Sequence, residues 1–461
     1  MDFYALPDKR MYKSQVESAC EKYRRKKRES KEMQCSETEK KRILNILERE
    51  IEYALGCTEP GAVALAAAKA RETLGEDAET LTVRVSGNVL KNAMNVGIPG
   101  TDLKGIEIAA ALGCVAGKSG YGLEVLKDAG QEEVERARTM IREGRVNIEL
   151  SDSPQKLYIE AVCRNGDKNA GVVIEKYHTN ITSVCRGEEM LFARSADTAE
   201  RETADGAKLS MKQIWAFVQN TDCTGIPALK KVEEINDRIV REGLCTEYGM
   251  GVGKHLYERM KKSGVMEFQT YIAACAAAAA DARMAGCPLP VMATTGSGNQ
   301  GITASVPVLA ASEWMKCSEE QKYRALALSE LVTIHVKEYI GRLSALCGCA
   351  IAASIGSACG LTFLLGGKYE NVECAVKNMI ADISGLICDG AKAGCALKIA
   401  TSVSGAVQCA FLAAEGVQVP EHDGIVRPDV EDTIRNLGSL GREGMEKTDH
   451  VILDMMLAGR A

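Results

Sequence analysis

The apolar positions of this chain fall into two textures, and the change between them marks its organisation. Ser36 stands three residues before Glu39, a capping-box spacing, and Ile43, Leu44, Ile46, Leu47 and Ile51 recur at helical intervals. That pattern predicts a helix running toward Leu55. Gly56-Cys57-Thr58-Glu59-Pro60 interrupts it, and a second helix is expected from Pro60 or Gly61 to Leu74, since proline fits a first helical turn where its missing N–H is no loss. Beyond Glu79 apolar residues alternate instead: Thr80-Leu81-Thr82-Val83-Arg84-Val85 reads as a strand, and further strands are expected at 146–150, 157–163, 170–177 and 181–186. Helical patterns at 103–116 and 131–143 lie between them. After about residue 203 strand signals nearly vanish, and segments 270–285, 349–364 and 391–414 are crowded with Ala, Gly, Ser and Cys, small side chains that let helices approach closely.

The expectation is an α+β protein, predominantly helical: a small-residue-rich helical bundle with a smaller α/β domain built on a mixed sheet. Its divisions are a polar N-terminal extension at 1–37, helices with the glycine-proline break at 38–78 that pack on the helical domain, an α+β domain at 79–200 and an all-α domain at 201–461. The length of 461 residues agrees, because a single core rarely organises so long a chain.

Charge and composition narrow the function. A formal charge of -6 gives no field that favours nucleic acid, and the basic run Tyr23-Arg24-Arg25-Lys26-Lys27-Arg28 is short and mixed with acids, which suits a solvated helix. The opening MDFYALPDKRMYKSQ lacks the apolar run that export requires, so a cytoplasmic protein is expected. The most apolar stretch, 399–414, is interrupted by Thr401, Ser402, Ser404 and Gln408 and falls short of the ~20 residues that span a bilayer. A buried helix is expected there, with no membrane partner. Eighteen cysteines in such a chain are expected as reduced thiols, most of them inert core residues, Cys20, Cys35, Cys275, Cys287 and Cys317 among them.

Three clusters depart from plain core texture. The first is Cys57 with Thr58 and Glu59, where the unpaired N–H groups of a helix start would favour a thiolate. The second is Thr294-Thr295-Gly296-Ser297-Gly298-Asn299-Gln300-Gly301, a glycine-spaced run of donors suited to an anion, or equally a plain connecting loop. The third joins Cys347-Gly348-Cys349 to Cys388-Asp389-Gly390-Ala391-Lys392-Ala393-Gly394-Cys395. Cys388 and Cys395 would stand ~10 Å apart along a continuous helix, but Gly390 and Gly394 allow the backbone to fold inward. None of these spacings is a ferredoxin or zinc-ribbon pattern, so by spacing alone buried structural thiols are the better reading.

Taken together, the Gly56 to Pro60 segment, SGNVLKNAMNVGIPGT at 86–101, TTGSGNQG from Thr294, HVKEYIGRLSALCGC at 335–349 and ICDGAKAGC at 387–395 resemble the L-cysteine desulfidase family. The likeness runs from about residue 38 to the C-terminus, and the helical half more distantly resembles the α part of the iron-sulfur L-serine dehydratases. What the resemblance implies is an oxygen-sensitive 4Fe-4S cluster on three cysteines, with one iron open to substrate. Cys388 and Cys395 match the family's CDGAKxGC motif as ligands, and the third comes from Cys347 or Cys349, with Cys347 favoured. Cys57 would be a catalytic thiolate, as proton acceptor or transient ligand, with Glu59 the second candidate for the base. Asn88, Lys91 and Asn92 from one domain and Ser297, Asn299 and Gln300 from the other would hold the substrate's carboxylate and amino group. Asp389 and Lys392 would stand behind the cluster, and His335 would have a core or supporting role. Residues 454–461 contain no cysteine, so the tail ligand of some serine dehydratases is not expected.

The implied reaction is β-elimination of L-cysteine to pyruvate, ammonium and hydrogen sulfide, by a homo-oligomer, expected as a dimer. Two alternatives stay open: an iron-sulfur L-serine dehydratase, and a non-enzymatic iron-sulfur sensor or scaffold that recruits a partner through the basic stretch. No lysine context suggests pyridoxal phosphate.

Overall fold

The computed structural model describes residues 34–195, 208–341 and 343–458, so the basic run and most of the expected N-terminal extension lie outside the described residues. The first helix, α1 (Glu37–Glu50), opens on the predicted capping box: Ser36 Oγ accepts from the Glu39 N–H at 3.2 Å, and Glu39 Oε2 from the Ser36 N–H at 3.1 Å. It ends at Glu50 rather than near Leu55. Ile51-Glu52-Tyr53-Ala54 leave it as strand β1 (Ile51–Ala54), antiparallel to β8 (Val291–Thr294), a partner too distant in the chain for any local pattern to reveal. The next helix, α2 (Thr58–Leu74), starts two residues before Pro60 with Cys57 as its N-cap.

Then follow β2 (Thr80–Val85), α3 (Gly87–Ala93), α4 (Ile106–Ala116), α5 (Gln131–Arg142), β3 (Val146–Leu150), β4 (Tyr158–Asn165), β5 (Lys168–Glu175), β6 (Ile181–Arg186) and β7 (Glu189–Ala193). These strands form one mixed sheet in the order β3-β2-β4-β5-β6-β7, in which β2 runs parallel to β3 and antiparallel to β4. Alternation buries Leu81, Val83 and Val85 beside Ile159, Ala161 and Cys163, on the face covered by α2. The edge strand β7, absent from the expected set, is exposed along its whole length.

The rest is helical: α6 (Met211–Asn220), α7 (Pro227–Cys245), α8 (Val252–Ser263) and α9 (Phe268–Met284) precede β8, and α10 (Gly298–Trp314), α11 (Glu319–Ile340), α12 (Ala352–Leu364), α13 (Tyr369–Ile383), α14 (Cys395–Ala414), α15 (Val430–Ser439) and α16 (Glu446–Ala458) follow it. The protein is therefore α+β and helix-rich. Small residues set the helix spacing, as a Cβ on Gly253 would stand 2.1 Å from the Ala278 nitrogen of α9. The apolar α14 is longer than expected: its 20 residues suffice by length and composition to cross a membrane, and 56% of its apolar window is buried within the protein. The last helix returns to the sheet region, with Leu453, Met456 and Leu457 packed against the core beneath α3.

Candidate active site

Two loops bring the distant thiols together. The segments after α11 and α13 meet through one antiparallel bridge, Leu346 with Ile387, in which the Cys347 N–H donates to Leu386 O at 2.9 Å and the Cys388 N–H to Ala345 O at 2.7 Å. Cys347 and Cys388 leave this bridge as neighbours, and the Cys347 and Cys349 sulfurs touch at 3.4 Å. At Gly390 the backbone turns at φ +88° and passes so close to α3 that a Cβ would stand 2.3 Å from Lys91 O. Cys395 then opens α14, its Sγ 3.7 Å from Gly390 O. The inward fold expected of this glycine-rich stretch is present.

Cys347, Cys349, Cys388 and Cys395 line one cavity, and all four are free thiols. Contact with Cys349 and burial push the Cys347 thiol up, contact with Cys347 and burial do the same at Cys388, and burial raises Cys395. Among the described residues no three His, Cys, Asp or Glu side chains are placed to hold a single metal ion. A cubane is a different case, because each corner iron takes its own thiolate and the ligands surround it rather than meet at a point. Four sulfurs outside any disulfide on one cavity are a donor set that fits such a group, since coordination to iron would take them as thiolates.

The opposite wall is polar. Glu59 lies in the first turn of α2, 7 % exposed. Its Oε2 accepts from Cys57 Sγ at 3.2 Å and Thr58 Oγ1 at 3.0 Å, and its Oε1 accepts from Asn92 Nδ2 at 2.9 Å. His178, from the β5–β6 connection, places Nε2 3.7 Å from the same Oε1. Burial opposes ionisation of Glu59, but His178, Cys57 and Asn92 together hold the carboxyl well below its usual range. Cys57 responds in the other direction: burial and the Glu59 charge push its thiol far up, against a smaller opposing effect of Arg283. The thiolate expected at this helix start is thus not what the pocket favours, because burial and a full negative charge 3.2 Å away outweigh the partial charge of a helix terminus.

The donor run is a strand-to-helix turn rather than a plain loop. Thr295 at φ +48° and Gly296 at φ +77° reverse the chain after β8, and α10 begins at Gly298 with Ser297 as its N-cap. A Cβ on Gly301 would stand 2.0 Å from Met292 O, so only glycine lets α10 start this close to β8. Gln300 Nε2 donates to Thr294 O at 3.0 Å and to Thr295 Oγ1, leaving its buried Oε1 without a partner. Arg283 Nη1 donates to Asn299 Oδ1 at 3.0 Å and its Nη2 to Gly56 O at 2.7 Å, joining α10 to the start of α2.

Of the substrate-binding candidates, Asn88, Asn92, Ser297, Asn299 and Gln300 line the cavity with Cys57 and Glu59. Lys91 lies elsewhere: 2% exposed, it extends Nζ to Cys388 O at 3.0 Å and Asp449 Oδ1 at 2.6 Å, bracing the cysteine loop from behind. Asp389 is paired with Lys392 and Lys398, and His335 Nε2 meets Glu431 Oε2 at 2.8 Å in the helical core. Sequence reasoning missed Arg283, His178, Lys337 and Lys398 in the cavity wall. Arg283 did carry a signal, a charge at the end of an alanine-rich helix, whereas His178 stands in an ordinary turn sequence with none.

The sequence model of the family described as serine dehydratase alpha chain matches residues 120–454. The chain belongs to that family. It is also 45% identical over 425 residues to a UPF0597 protein of Bacteroides fragilis, covering 91% of this chain and 99% of the relative. UPF0597 proteins of Oleidesulfovibrio alaskensis and Clostridium perfringens are 42% and 41% identical over 419 and 415 residues, each covering 90% of this chain and 98% and 97% of the relative. The family match points toward a dehydratase-like lyase, and the cavity described above lies where the strand-to-helix turn, the cysteine loops and the sheet region meet.

Proposed function

We propose that this serine dehydratase-like protein is an iron-sulfur-dependent L-cysteine desulfidase that converts L-cysteine to pyruvate, ammonium and hydrogen sulfide. The observation that carries the reading is the meeting, in one cavity, of sulfurs from the 347–349 and 388–395 loops with the Cys57–Glu59 wall and the start of α10. A 4Fe-4S cluster held by Cys388, Cys395 and either Cys347 or Cys349 would supply an electrophile for the departing sulfur. The chain's own residues do the rest. The open N–H groups at the start of α10, with Ser297, Asn299 and Arg283 beside them, suit the substrate carboxylate. Asn88 and the ionised Glu59 suit the amino group, and burial of the polar wall keeps water from competing for these contacts. Lys91 keeps the Cys388 loop in place from outside the cavity.

Anaerobic iron loading followed by parallel assays tests this reading. Sulfide and pyruvate from L-cysteine, at a kcat/KM well above that for pyruvate from L-serine, is the expected result. The family match gives a second reading, L-serine dehydratase, and the reverse ratio would establish it. Absence of turnover with both substrates, with iron bound, would favour a sensor or scaffold.

A further inference from the structure

We propose that His178 Nε2 is the base that takes the α-proton of the amino-acid substrate, and that Glu59 holds the imidazolium so formed. This rests on the elimination reading above. His178 is 7% exposed and lines the cavity, yet its Nε2 is buried with no hydrogen-bond partner. An orphaned polar nitrogen in a native interior is costly and calls for a reason, and a catalytic role is one. The turn that carries the imidazole is tied by the Asn180 N–H to Tyr177 O at 3.0 Å and by Asn180 Nδ2 to Glu175 O at 2.9 Å.

The other groups on this wall are less able to accept a proton. Cys57 holds its own hydrogen and gives it to Glu59. Glu59 already accepts from Cys57, Thr58 and Asn92, three of its roughly four acceptor sites, and with its carboxyl held well below the usual range it is a weak base. Lys398 is paired with Asp389, and Arg283 is a permanent cation. With its ring proton on Nδ1, His178 leaves Nε2, which has no partner within hydrogen-bond distance, free to take a proton, and the carboxylate 3.7 Å away becomes an ion-pair partner once it does. In the step, the Cα–H bond breaks and its proton forms an N–H bond at Nε2. The electron pair left on Cα becomes the Cα=Cβ bond, and the Cβ–S bond breaks with its pair leaving on sulfur as hydrosulfide, giving aminoacrylate.

The test uses the full chain, iron-loaded anaerobically, with wild type and His178→Gln compared on L-cysteine and on L-cysteine deuterated at Cα. The variant is expected to lose on the order of 10²–10⁴ in kcat while its iron per chain and KM stay within about threefold of wild type. Transfer of the α-deuterium to solvent should fall with kcat, and added imidazole should restore turnover in His178→Gly. Turnover of His178→Gln above a tenth of wild type, or a loss that only follows lost iron, would overturn the assignment. If His178→Gln fails to fold, His178→Asn carries the same measurements. Wild type without lyase activity would instead sink the elimination reading, so the two failures are distinguishable.

Discussion

The two walls of the cavity handle charge in opposite ways. On the sulfur wall, Cys347, Cys388 and Cys395 crowd together, and contact between thiols and burial push their thiols up. Across from it, Glu59 is ionised although buried, because Cys57, Thr58 and Asn92 donate to it and His178 stands beside it. On the proposed reading the sulfur wall is completed by a cluster it binds, whereas the polar wall is already assembled by the protein. That difference teaches where to look for cofactor dependence and where for proton transfer.

The largest expected effect comes from breaking the sulfur wall. Cys388→Ala and Cys395→Ala should lose bound iron and all measurable sulfide production, read by iron per chain and a sulfide assay, while remaining folded. Wild-type turnover in either would end the comparison, since the walls would then not differ in kind.

Lys91→Met tests the brace behind that wall. The substitution leaves Asp449 and the Cys388 carbonyl without their buried cation, and a loss of roughly 3 kcal/mol is expected from urea unfolding of the apoprotein. A midpoint equal to wild type would show that the loop is held by its backbone bridge alone.

The ground beneath the polar turn is tested through Glu330 of α11, which accepts from Thr294 Oγ1 at 2.7 Å and is pushed up to about 8 by burial, with the Thr294 hydroxyl opposing. Because the folded value lies above the unfolded one, the proton stabilises the folded chain. That contribution is complete below about pH 4 and is lost as pH rises through about 8. Glu330→Gln should remove the loss, so its Tm should gain on wild type between about pH 5 and pH 8 and level off above that. Parallel melting curves across that range would refute this.

The smallest structural effect is expected at Cys57→Ala. It removes one of three donors to Glu59, so turnover should fall while iron content and Tm stay near wild type. A large loss of folded protein would recast Cys57 as a core residue and blur the distinction between the walls.

Much of the fold was legible because its signals are local. Capping at Ser36, alternation in β2 and the small-residue texture of α9, α12 and α14 each report a period or a cap within one segment. β1 and β8 were not legible, since each is four residues long and exists because the other lies beside it. In the site, the 388–395 segment announced its inward turn through Gly390, while the protonation of Cys57 depends on how close Glu59 approaches and on how deeply both are buried. His178 could not be found from residue order, because nothing in a turn sequence says what a sheet connection will face.

The amino-acid order by itself determined the helix-rich α+β class and the cysteines, glycines and carboxylate available for chemistry. Tertiary structure alone decided which of them share a cavity, which way Lys91 extends, and which groups there carry protons. The reason is physical: propensity and periodicity act over a few residues, whereas burial and electrostatics depend on distances between segments that only the folded chain defines.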